Sequence, residues 1–313
     1  MRDFSFDIVA SGRPYADLIA DIADESLIQK LGFRKGQSTA VTAREMMTIL
    51  PQLPRYEVYA GGSPSNTCAV VQSLGGNAAF IGKVCNDVSG RLFRDAFVRC
   101  GVHFATPWYA GNEPAVSGTC IILKTSDDAE TMIHCPGVGD VLTTADMDEE
   151  VIGGSKVLYL QAHLLFADSS IEAAIHAIQI ARQYGRMVAF SLHDHQMNRE
   201  RADVFLAQYL TESDVVTGNQ SEFQQVFGGS SKNCVRVMTQ GSEGATISTS
   251  LEQVHIPALT VPNARNTIGA GDAFAAGFLY AYPNGSTLMQ SGTLGAVAAA
   301  RILECESGRP ECV

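Results

Sequence analysis

The sequence predicts an α/β protein: a mostly parallel central sheet flanked by helices, with a small β-rich lid attached. Three observations carry this. Short β-like runs alternate with amphipathic helical stretches through the middle and C-terminal parts. Two segments, 17–59 and 104–135, break that rhythm with strand-like and polar stretches. At 313 residues and 46% apolar content, the chain can bury one large core. Residues 1–16, 60–103 and 136–313 are therefore assigned to the main layer, and the two irregular segments to the lid.

The elements follow in order. In "AGGSPSNTCAVVQSLGG" (60–76), Ser63 can cap a helix that Pro64 opens, with Val70, Val71 and Leu74 as its apolar face. "KVLYL" (156–160) reads as a buried strand. The next stretch, 169–185, has a helical stripe at Ile171, Ala174, Ile175, Ile178 and Ala181, closed by Gly185. "RMVAFSL" (186–192) is again a strand, residues around 200–210 are helical, and "DVVTGN" (214–219) and "CVRVM" (234–238) continue the alternation. "DAFAAGFLYAY" (272–282) is a helix.

Composition narrows the partners. A net charge of −11 argues against nucleic acid or an anionic membrane, since both need a basic face. The start, "MRDFSFDIVASG", lacks the apolar run of a signal peptide, and nowhere do 18 apolar residues run together. The eight cysteines form no C-x-x-C pair and mostly sit in apolar runs, the pattern of buried free thiols in a reducing, cytoplasmic setting.

The most informative stretch is "NTIGAGDAFAAGF" (266–278). Gly269, Ala270 and Gly271 clear the side chains from a helix start, where unpaired N–H groups and the helix dipole attract an anion. An acid beside an anion site is electrostatically awkward, so Asp272 points to chemistry: a carboxylate that receives the proton of a hydroxyl attacking a phosphoryl group. A Rossmann fingerprint wants Gly or Ala where Phe274 stands, and a Walker A loop needs an absent Gly-Lys-Ser/Thr. A structural turn with a solvated acid is the plain alternative. Earlier in the chain, Gly61 and Gly62 would let a ligand approach the backbone, with Asn66 nearby on the helix; a tight strand-to-helix turn explains the two glycines equally well.

Together these motifs resemble the ribokinase-type kinases, the phosphofructokinase-B carbohydrate kinases and adenosine kinases. "NTIGAGDAF" is similar to that family's D-T-x-G-A-G-D-x-F, while "GGSPSN" and "GKVCNDVSG" (82–90) match its N-terminal signature, in the expected order over nearly the whole chain. The resemblance implies a three-layer ribokinase-like fold and an ATP- and Mg2+-dependent transfer to a primary alcohol. It implies that Asp272 is the base and that Gly269, Ala270 and Gly271 form the anion hole. It places Asp17, within "GRPYAD", on substrate hydroxyls, with Gly61, Gly62 and Asn66 beside it. "GNQSE" (218–222) matches the family's N-x-x-E, placing Asn219 and Glu222 near magnesium–triphosphate through water. "TQGSEG" (239–244) resembles its nucleotide turn, implicating Thr239, Gly241 and Gly244. The long passage from Asp17 to Gly61 is similar to the adenosine-kinase branch and implies a ribofuranose-containing substrate.

Three positions depart from the pattern. Asn266 replaces an acid that helps hold a monovalent cation, Arg13 stands where Asn is usual, and Glu130 occupies a lid position expected to be Arg. His193 and His195 follow a strand on one face and offer a rival reading, a metal-dependent hydrolase. Trp108 and Tyr109 either stack on a base or sugar or pack within the lid. The chain is thus expected to be a sugar or nucleoside kinase, monomer or homodimer, with a non-catalytic nucleoside- or sugar-binding protein of the same fold as the alternative.

Overall fold

The strands assemble into two sheets. In chain order the strands are β1 (Phe6–Ser11), β2 (Tyr15–Ile22), β3 (Ser38–Ala40), β4 (Glu57–Gly61), β5 (Ala78–Ile81), β6 (Thr119–Thr125), β7 (Glu130–Cys135), β8 (Ser155–Gln161), β9 (Met187–Ser191), β10 (Val215–Asn219), β11 (Val235–Thr239), β12 (Ala245–Ser248) and β13 (Gln253–Ile256). The computed structural model describes residues 5–111, 115–127, 129–192, 209–227, 234–262, 264 and 267–310.

The larger sheet has the order β13-β12-β11-β10-β9-β8-β1-β5. From β11 to β5 every pairing is parallel, and β12 and β13 close one edge as an antiparallel hairpin. Both faces are covered, as parallel sheets require. Ile8 and Ala10 of β1 join a cluster with Val70, Phe93, Phe278 and Ala296, from helices Ser63–Ser73, Val88–Cys100, Ala270–Ala281 and Leu288–Leu303. Val9, pointing the other way, meets Ile152 and Ile178 of helices Glu149–Gly153 and Asp168–Gln183. These are the three expected layers.

The smaller sheet, β3-β7-β6-β2-β4, mixes parallel and antiparallel pairs. Ala16, Leu18, Ala20, Ile121 and Ile133 bury one face against Ile28, Met46 and Ile49 of two short helices. Tyr15, Cys120 and Ile122 occupy the opposite face and touch Ile268, just before the Gly269 turn. Alternation puts Asp17 on that same inner face.

The chain passes between the sheets at Gly12–Pro14, Gly62, Ser117–Gly118 and Pro136–Gly137. A methyl group on Gly62 would lie 2.3 Å from the Arg13 carbonyl oxygen, one on Gly118 2.3 Å from that of Pro14, and one on Gly137 2.1 Å from that of Val116. The neck is backbone against backbone.

Three details differ from expectation. Residues 104–110 run along the larger layer: Phe104 and Trp108 pack on its core, and the Tyr109 N–H donates to Val84 O at 2.9 Å. Ser63 does not cap its helix, whose N-cap is Gly62 with φ 98. Cys68, Cys85, Cys120, Cys135, Cys234 and Cys305 are free thiols, whereas Cys100 is disulfide-bonded. No helix among the described residues is long and apolar enough to cross a membrane.

Candidate active site

The C-terminal ends of β1, β8, β9, β10 and β11 open onto one side of the sheet, where ligands bind in open α/β folds. Between them lies a cavity of about 100 Å³, lined by Tyr159, Thr217, Asn219, Glu222, Thr239 and the Gly271–Asp272 helix start.

Helix Ala270–Ala281 begins on Gly269, in the left-handed conformation at φ 74. Gly269 is glycine for two internal reasons: that φ, and Gly308, whose carbonyl oxygen would lie 2.2 Å from an added Cβ. Gly271 is different, since a Cβ there would meet nothing within 4 Å. Its missing side chain leaves space at the dipole's positive end, where first-turn amides lack helical partners.

Asp272 is held from the facing helix, Ser63–Ser73. Ser63 Oγ donates to Asp272 Oδ1 at 2.5 Å, Asn66 Nδ2 donates to Oδ2 at 3.1 Å, and Thr67 Oγ1 donates to the Asp272 carbonyl at 3.3 Å. The reading of Ser63 as a cap missed this role. Its only sequence signal was a hydroxyl three residues before Asn66 in the companion motif. Two donors fix the carboxylate in place, and a carboxylate's spare lone pairs can still receive a proton.

Asn219 and Glu222 explain each other. The Asn219 N–H donates to Glu222 Oε2 at 2.8 Å and the Glu222 N–H donates to Asn219 Oδ1 at 2.9 Å, a reciprocal cap on helix Gln220–Phe227. Glu222 nevertheless lines the cavity. Thr239 lines it too, and its Oγ1 donates to Gly218 O at 3.3 Å. Gly241 (φ 60) and Gly244 (φ 96) shape the β11–β12 turn, and a Cβ on Gly244 would strike Ile256 O at 2.0 Å; neither lines the cavity.

The space around Asp17 is crowded. A Cβ on Gly61 would sit 1.7 Å from Asp17 Oδ2, so the Asp17 carboxylate occupies the space that Gly61 leaves free. Burial, and secondarily the charge of Asp272, push the Asp17 carboxyl up to about 7 against the pull of Arg309. Asn66 Oδ1, Ser11 Oγ and Gln161 Nε2 are buried without hydrogen-bond partners among the described residues. The first belongs to the side chain that donates to Asp272, and an orphaned acceptor there suits a hydroxyl-bearing ligand.

Arg13 is not free for such a ligand. It pairs through Nε and Nη2 with both Asp140 oxygens and lies over the Phe166 ring at 4.9 Å. Thr267 Oγ1 approaches Glu130 Oε1 at 3.4 Å, linking β7 of the smaller sheet to the loop before Gly269. Trp108 carries the Arg94 guanidinium 3.9 Å over its ring, so packing accounts for it. Asn266, His193 and His195 lie outside the described residues.

A carboxylate clamped at a bare helix start, above the carboxyl ends of a parallel sheet, belongs to the ribokinase-like phosphotransferases. The pfkB family carbohydrate kinase pattern matches residues 40–312, and the chain belongs to that family. It is 25% identical over 277 residues to a 5-dehydro-2-deoxygluconokinase of Clostridium perfringens, covering 82% of both chains. It is 24% identical to that of Bacillus subtilis, covering 97% of this chain and 91% of the relative. Among solved structures, an adenosine kinase from Sinorhizobium meliloti superposes with TM-score 0.89 at 28% identity, covering 98% of this chain and 96% of that one. A probable sugar kinase from Rhizobium etli gives 0.88 at 26%, with the same coverage.

Proposed function

We propose that this kinase transfers the γ-phosphoryl group of ATP to a primary hydroxyl of a sugar or nucleoside, with Asp272 receiving the hydroxyl proton. The observation that carries this reading is the clamped Asp272 beside open space at Gly271, on one helix start. Asp17 accepts hydrogen bonds from a hydroxyl pair and thereby turns the primary alcohol toward Asp272. The first-turn amides of helix Ala270–Ala281 take up charge as it develops on the transferred group.

The donor set fits a magnesium–nucleotide. Glu222 and Asn219 line the cavity beside the anion hole, and Glu222 would hold Mg2+ through water. Bound there, the ion would neutralise charge between the phosphates. Gly241 and Gly244 shape the next turn, along which the rest of the nucleotide would lie. The inner face of the small sheet covers the sugar and excludes water.

The named relatives divide between sugar kinases and an adenosine kinase. A coupled assay of ADP release settles the acceptor: aldonic and ketonic sugar acids, hexoses, pentoses and nucleosides, each with Mg2+-ATP. Turnover on one class and not the others identifies the substrate. No turnover on any, with ATP bound, favours a binding protein.

A further inference from the structure

The large sheet changes character at one level, beneath the cavity that Asp272 lines. Val157, Ala189 and Val215, from three adjacent parallel strands, are apolar members of the core that packs on helix Ala270–Ala281. Two residues further along each strand, on the same face, stand Tyr159, Ser191 and Thr217. Ser191 and Thr217 are neighbours in register. Tyr159 Oη lies 3.0 Å from Thr217 Oγ1 and also bonds the Ser191 side chain. Hydroxyls are costly in a core that Phe, Ala or Val could fill. Here all three line the cavity, together with Thr239, Glu222 and Asp272. Among the described residues no basic side chain lines it. Hydroxyls and carboxylates around a volume of about 100 Å³ suit water molecules and a cation.

We propose that Tyr159 is a positioning residue for the nucleotide end of the site: its hydroxyl, held by Thr217 and Ser191, fixes the water through which Glu222 reaches Mg2+. The inference rests on the reading of Glu222 as the group that holds the ion through water. A water bound to a cation turns both hydrogens outward and needs two acceptors to be held in one orientation. Glu222 supplies one. Tyr159 supplies the second, since a phenol fixed by two neighbouring hydroxyls still has a lone pair to offer. Burial pushes the Tyr159 phenol up to about 12, so it stays neutral and does not compete with Glu222 for the ion. Being a ring 1% exposed within the core, it cannot swing aside as a surface hydroxyl does.

The test uses Mn2+ as the probe, because its electron spin resonance signal reports binding without turnover. With ATP present, Tyr159→Phe should weaken Mn2+ binding by about 10-fold or more. In the kinase assay it should raise the apparent KM for Mg2+ and leave that for the acceptor unchanged. Mn2+ affinity equal to wild type in Tyr159→Phe overturns the proposal. Thr217→Val removes the partner of the phenol and should also weaken Mn2+ binding, whereas Thr217→Ser keeps the hydroxyl and should bind like wild type. This pair gives the answer if Tyr159→Phe fails to fold. Equal losses in Thr217→Ser and Thr217→Val would mark the role as packing and overturn the proposal as well. Glu222→Gln separates the inference from the reading beneath it. If Glu222→Gln binds Mn2+ as wild type does, the reading of Glu222 fails and takes the inference with it. If Glu222→Gln loses Mn2+ and Tyr159→Phe does not, only the inference fails.

Discussion

Gly271 and Gly61 both lack a side chain, and they are bare for opposite reasons. A methyl group on Gly271 would meet nothing within 4 Å, whereas one on Gly61 would fall 1.7 Å from Asp17 Oδ2. On the proposed function, Gly271 lies at the phosphate end, where the space is open, and Gly61 at the sugar end, where the space is taken by the protein's own carboxylate. A glycine-rich motif therefore does not announce a ligand contact by itself; what fills the vacated volume decides.

The largest test of this contrast is at the phosphate end. Asp272→Asn keeps size and hydrogen bonding but removes basicity, and should lower kcat by about 10²–10⁴-fold while ATP still binds. Near-wild-type turnover would sink the mechanism. At the sugar end, Gly61→Ala should expel the Asp17 carboxylate. The loss of hydrogen bonds to a charged group should raise the substrate's KM by about 10–100-fold, as Asp17→Ala also should, with the KM for ATP unchanged. If Gly61→Ala binds substrate normally, the crowding at Asp17 is not what the site depends on.

The third prediction concerns pH. Asp17 is raised in the folded protein to about 7 from 3.8, so its neutral form is favoured by folding. The stability this confers is complete below 3.8 and is lost as pH rises through about 7. Asp17→Asn should therefore gain on wild type across that window, by at most about 4 kcal/mol at one pKa unit per 1.36 kcal/mol. Urea titrations at pH 4 and pH 8 measure it, and an equal difference at both would refute it. The smallest expected effect is at Gly271. Gly271→Ala should leave the melting temperature near wild type, since it adds a methyl to open space. A large loss of stability would mean that this end is as crowded as the other.

Much of the fold was legible because burial leaves a periodic mark. The stripe at Ile171, Ala174, Ile178 and Ala181 and the strand around Val157–Leu160 appear where the sequence put them. Segment 104–110 misled because it lacks periodicity, and irregular chain packs against either layer equally well in sequence. In the site, Asp272 and Asn66 were visible through their motifs, and the structure joins them by a hydrogen bond. Ser63 was not, because a serine at a helix start has two uses and only the facing helix selects one.

The neck between the sheets has a mechanical consequence. Where Gly62, Gly118 and Gly137 press against backbone carbonyls, there is little room to slide, so any movement of the small sheet would be a swing about the neck. Displacement in a swing grows with distance from the pivot. Asp17 lies three residues beyond Pro14, about 10 Å along its strand, while Ile22 lies about 26 Å out. A swing would therefore carry Asp17 about two-fifths as far as the outer strand end at Ile22, so a closure would move the carboxylate together with the rim.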